Sequence, residues 1–165
     1  MLEWLRRLLG NRSGEDPAAL GFQVEDCWEV SPTEDGALFL RALPLIVDAG
    51  GVVYFEGSRS RAVSETLARL SVPPEAVVPK SIIWPRPDRY HLRTSPAVLE
   101  ELALFLESQP DPRPSYHCHV YESGVLVLVW HDAFADPIYV AGAVSEAGVR
   151  AFGEAIGATA ARRAG

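Results

Sequence analysis

Lysine is almost missing from this chain of 165 residues: Lys80 is the single one, and arginine carries the rest of the positive charge. Together with abundant alanine, that usage matches a GC-rich bacterial genome, which is an association and not a physical constraint. Cysteine is scarce as well. Cys27 and Cys118 stand far apart in sequence, which excludes a disulfide framework and any Cys-x-x-Cys zinc or redox pair, so two reduced thiols are expected. Basic residues (15) are outnumbered by acidic ones (22), giving a formal net charge of -7. Charge of that sign repels a phosphate backbone, and nucleic acid is not an expected partner. No run approaches the roughly 20 apolar residues that span a bilayer, and residues 1–10 lack the apolar stretch and cleavage pattern of a signal peptide. A cytoplasmic protein is expected.

What is present is an ordinary globular balance, with 48% hydrophobic and 22% charged residues. The length suits one domain with a continuous core. We read residues 1–20 as a short amphipathic helix with Leu2, Leu5 and Leu9 on one side, followed by a polar linker, and residues 21–165 as the globular domain. That first helix is expected to pack on its own domain or between subunits of a homo-oligomer. Its two arginines against one glutamate make a weak basic face for a membrane.

Along the body, Phe22 to Val30 reads as a strand. Ser31, Pro32 and Glu34 then read as N-cap, first helical residue and capping-box partner of a helix burying Leu38, Phe39, Ala42 and Leu43. The apolar run Val52, Val53, Tyr54 and Phe55 suits a strand covered on both faces. A helix starting at Ser58 or Ser60 carries Val63, Leu67 and Leu70. Residues 81–84 suggest another short strand, followed by a stiff proline loop. Ser95 and Pro96 open the longest helix, with Val98, Leu99, Leu102, Phe105 and Leu106 on its apolar face. Ile138 to Val140 reads as a strand, and Ser145 caps a last helix with Arg162 and Arg163 near its C-terminal end. This alternation gives an α/β or α+β fold: a mixed sheet of about five strands with helices packed on it and an antiparallel hairpin in the C-terminal half.

That hairpin, residues 115–132, holds three of the four histidines and one cysteine. A three-residue loop Glu122, Ser123 and Gly124 pairs Tyr121 with Val125, which sets His119 opposite Val127, His117 opposite Val129 and Ser115 opposite His131. The histidines then share a face with Tyr121, Val125, Val127 and Val129, while Cys118 joins Tyr116, Val120, Leu126, Leu128 and Trp130 on the other. In this register His131 lies roughly 13 Å along the ladder from the position opposite His119, too far for one ion. A two-residue loop would send His131 to the opposite face. A zinc site therefore reduces to His117 and His119 with His91, Asp132 or another carboxylate brought in by the fold. Alternation also separates Cys118 from its neighbouring histidines, which points to a buried, inert thiol.

Two further groups carry candidate chemistry. Ser58, Arg59, Ser60 and Arg61 follow a glycine at a helix start, where backbone N–H groups and guanidinium groups favour an anion. Trp84, Arg86, Tyr90, His91, Phe134 and Asp136 fall in two segments that read as loops and include the residue types enriched at protein interfaces. No motif joins a nucleophile, a base and an orienting group. The sequence therefore points first to a non-enzymatic module that binds another protein, with a composition shared by acidic immunity proteins and complex subunits. A metal-dependent hydrolase using His117 and His119, and a small-anion binder at residues 58–61, are the alternatives.

Overall fold

The computed structural model describes residues 22–23, 25–74 and 87–163. The expected N-terminal helix, its linker, the strand at 81–84 and the interface candidates Trp84 and Arg86 lie outside the described residues. The elements in chain order are β1 (Cys27–Val30), α1 (Gly36–Ala42) with a 3-10 turn over Leu43–Leu45, β2 (Val52–Glu56), α2 (Arg61–Leu70), β3 (Arg89–Arg93), α3 (Pro96–Glu107), β4 (His117–Glu122), β5 (Val125–Trp130), β6 (Ile138–Ala141), α4 (Glu146–Ala155) and β7 (Ala160–Arg162). The strands form one sheet in the order β3-β2-β4-β5-β6-β1-β7.

The fold is a mixed α/β class, as the alternation implied, but the sheet has seven strands and every pairing among them is antiparallel. Two strands account for the difference in number. Arg89–Arg93 alternates Tyr90 and Leu92 inward with arginine and histidine on the other face, so this sheet-edge segment reads as a polar loop in sequence. The other is β7, which stands where the last helix was expected to end. Gly157, at φ +68, stops that helix early. The chain then pairs with β1, and Arg162 lies over the Trp28 ring at 4.9 Å instead of capping a helix.

The α1 start also shifts. Asp35, not Ser31, is the N-cap, its Oδ1 accepting from the N–H groups of Ala37 (2.9 Å) and Leu38 (3.0 Å). Ser31 is held elsewhere, by Thr159. The buried stripe becomes Ala37, Phe39, Leu40 and Ala42, and Leu38 is exposed. Ser60 caps α2 through Val63 N–H (3.2 Å), and Pro96 opens α3, both at expected positions.

The buried apolar side chains of all four helices join one core with Phe55, Val120, Leu128 and Trp130, which fixes the helices to one face of the sheet. At its centre Phe39 meets Trp130, Phe134 and Phe152 with ring centroids 4.9, 6.4 and 6.1 Å apart. The opposite face carries Tyr54, Tyr121, Val129 and Tyr139 together with the histidines.

Candidate functional site

The site grows out of the pairing of β2 with both of its neighbours. Tyr54 sits opposite His119 on one side and His91 on the other, and Glu56 sits opposite His117 and Arg89. Side chains directly opposite in an antiparallel pair lie close on one face. Rings therefore follow one another across the sheet. Tyr54 stacks on His119 (centroids 5.6 Å, interplanar 21°) and tilts against His91 (5.2 Å). His131 then meets His119 at 5.2 Å and His117 at 5.5 Å, both edge to face.

His131 is where the structure corrects the expected hairpin. The turn is a two-residue one, Ser123 and Gly124, at φ 50 and 79, closing the pair Glu122 and Val125. Two-residue closure alone would have turned His131 to the helix side. A bulge beyond Tyr121 adds a residue to β5, so the register changes from Tyr121 opposite Leu126 to Val120 opposite Leu128 and His119 opposite Val129. The extra residue restores the parity, and the three histidines meet. The roughly 13 Å separation read from an unbulged ladder is overturned. Leu126 moves to the histidine face by the same shift, while Cys118 stays on the helix side, as expected.

Burial sets the protonation of this row. His119 is 3% exposed and burial holds its imidazole far below the usual histidine range, with His131 and His117 adding to the effect. His131 is pushed down to about 4, by burial first and then by His117. Burial and then Arg89 lower His91. Neither ring nitrogen of His119 has a hydrogen-bond partner among the described residues. Burial, and after it Glu56, raises the Tyr54 phenol, which donates to Glu56 Oε2 at 2.8 Å. Burial raises Cys118 well above the ordinary thiol range and Cys27 to about 11.

Where β2 ends, this polar face opens. A cavity of about 450 Å³ is walled by Glu56, Gly57 and Ser58, by Pro87 and Asp88, by Tyr116 and His117, and by Asp132. Asp88, Tyr116 and Asp132 are exposed at its rim, while Glu56 is only 4% exposed. Glu56 Oε1 is buried with no hydrogen-bond partner among the described residues. His117 Nδ1 accepts from the backbone N–H of Asp132 at 3.1 Å, which leaves the proton on Nε2 in the neutral ring. Asp132 adopts φ 41, a left-handed conformation that aspartate tolerates better than most residues. Gly57 is at φ +73, and a Cβ there would stand 2.6 Å from the Tyr116 ring.

The structure separates the other candidates. His117 and Asp132 meet, and His119 lies beside them through His131, yet no three His, Cys, Asp or Glu side chains among the described residues are arranged to hold a metal ion. At the proposed anion site Arg59 lies over the Tyr116 ring at 4.2 Å, with Nε 3.3 Å from the carbonyl of Ser115. Arg61 pairs with Glu65, and Ser60 is occupied as the α2 cap. Only Ser58 faces the cavity, whose charged walls are carboxylates. Of the interface candidates, Tyr90, His91 and Phe134 are buried, and Asp136 is half-buried, its carbonyl accepting from Trp130 Nε1 (2.7 Å). Sequence reasoning missed Glu56 and Tyr54. The available signal was a carboxylate closing the apolar run 52–55, two residues after a tyrosine.

The chain matches no protein-family model, no curated protein and no solved structure. Among the described residues no helix is long and apolar enough to cross a membrane.

Proposed function

We propose that this protein binds a small molecule in the cavity between the end of β2 and the start of β4, with the Glu56 carboxylate and the His117 imidazole as its principal contacts. One observation carries the reading: a buried carboxylate oxygen without a hydrogen-bond partner among the described residues, on a residue that lines a space of ligand size. Leaving such an acceptor unpaired costs about 1–3 kcal/mol or more, and a bound donor recovers that energy. Ligand sites are commonly concavities of about 300–1,000 Å³ with a few convergent polar groups. His117 and Glu56 stand opposite each other on adjacent strands and both line the same space.

The protein-interaction module expected from the sequence has less support. Of its described anchors only Asp136 is not buried. A hydrolase built on His117 and His119 finds no group of three donors arranged to hold a metal ion among the described residues. Thermal denaturation of the full chain against a chemically diverse panel of small metabolites tests the proposal. A compound that raises the melting temperature of the native protein but not of Glu56→Gln supports it; stabilisers that act equally on both, or none at all, reject it.

A further inference from the structure

Among the described residues the cavity wall holds three carboxylates, Glu56, Asp88 and Asp132, against one imidazole and no lysine or arginine. No ion pair joins a guanidinium group to these carboxylates among the described residues, although the Arg89 charge reaches the same face and acts on Tyr54 and His91. Arg59 is spread over Tyr116 and turned towards backbone carbonyls, and Arg61 is paired with Glu65. Arg89, the cross-strand neighbour of Glu56, is exposed, and no ion pair joins the two among the described residues. The most buried acidic group, Glu56, satisfies one oxygen with Tyr54 and leaves Oε1 without a hydrogen-bond partner among the described residues. Ser58 adds a hydroxyl to the wall, and Tyr116, covered by Arg59 on one ring face, adds an aromatic surface.

Resting on the small-molecule reading above, we propose that the ligand is a small organic cation bearing N–H donors, a primary ammonium or guanidinium compound. An anion meets three like charges in a chain whose net charge is already -7. A bare metal ion needs three or more ligands converging on one point, and the carboxylates instead stand around a space of about 450 Å³ without such a group. An N–H-rich cation of that size sets its charged head against Glu56, which lines the cavity, where charge-assisted hydrogen bonds add to the attraction of opposite charges. Asp132 and Asp88 hold a second donor or the rim of the same molecule. The exposed Tyr116 ring offers an apolar surface for its carbon chain.

The test is calorimetric titration of the full chain in about 0.15 M salt, which screens the general attraction of an acidic surface for cations. The probes are putrescine and agmatine, with butane-1,4-diol as the neutral counterpart, succinate as the anionic one, and Mg²⁺ and Ca²⁺ as metals. The expected result is saturable binding of at least one amine and none of the diol or the diacid. Glu56→Gln keeps an acceptor for Tyr54, removes the charge, and is expected to weaken binding about tenfold or more. Asp132→Asn and Asp88→Asn, isosteric changes at exposed positions, are expected to weaken it a fewfold each. Diol or succinate binding that is lost in Glu56→Gln overturns the cation assignment while keeping the cavity as the site. A metal that competes with the amines, or amine binding equal in all variants, also overturns it. Amines that bind with shape-independent stoichiometry above one reject the site itself, because that is surface attraction.

Discussion

Tyr54 donates a 2.8 Å hydrogen bond to Glu56 Oε2 along one face of β2, joining the row of histidine rings to the acidic cavity. The two residues are both buried and two apart, so strand alternation alone brings them together. Tyr54→Phe leaves Glu56 with neither oxygen satisfied among the described residues. We expect a loss of about 1–3 kcal/mol in urea-unfolding free energy. Glu56→Gln should cost less, because the amide oxygen still accepts. A Tyr54→Phe variant as stable as the native protein would show that the carboxylate finds another partner.

The histidine row makes the fold acid-sensitive above the carboxylate range. His119, His131 and His91 have folded-state values below the unfolded reference of about 6.5, so the unfolded chain binds more protons. Their stabilising contribution is fully present above that reference. It is lost as pH falls, through about 4 in the case of His131. Each histidine that stays neutral in the fold contributes a slope of about 1.4 kcal/mol per pH unit there. Urea midpoints measured from pH 7.5 to 4.5 should drop steadily below pH 6.5, with a shallower drop in His131→Gln. A flat profile across that interval would contradict the placement of these rings.

At Gly57 two constraints coincide, a positive φ of 73 and a Tyr116 ring carbon 2.6 Å from where a Cβ would stand. Gly57→Ala is therefore expected to cost about 1–2 kcal/mol and to displace Tyr116 from the cavity wall. Tryptophan-independent tyrosine fluorescence or the Tyr116 NMR resonance would report the displacement. Gly124 offers the contrast: its φ is 79 but nothing lies within 4 Å of an added Cβ. Gly124→Ala should lose about 1 kcal/mol from backbone strain alone and leave ligand binding unchanged.

Neither thiol should be reactive in the folded protein. Cys27 and Cys118 are both fully buried, and burial raises each above its usual range. Ellman's reagent should label neither on the minute scale in buffer and both in guanidinium chloride. Rapid labelling of one thiol in buffer would show that its surroundings open.

The elements that rest on local signals were legible in the sequence: Pro96 at a helix start, Ser60 as a cap, and the continuous apolar run that became β2. Failures came where a distant contact decides. Ser31 carries every local mark of an N-cap, but Thr159, brought alongside by β7, takes its hydrogen bonds and the helix starts at Asp35. Arg89–Arg93 looks like a loop because three of its five residues are polar, and only the neighbouring β2 makes that alternation a strand. The bulge in β5 left no composition mark in VLVLV, yet it decides which face His131 takes. The cavity was hidden for the same reason, its wall being assembled from four separate stretches of chain.

The central claim is that the cavity beside Glu56 is the ligand site, and amide chemical-shift mapping of the full chain during titration with agmatine tests it most directly. The account predicts saturating shifts confined to Glu56, Gly57, Ser58, Asp88, His117 and Asp132 and abolished in Glu56→Gln. Shifts gathered instead at the larger cleft of about 900 Å³ beside Leu45, Val125 and Val144, or spread evenly over the acidic surface, would contradict it.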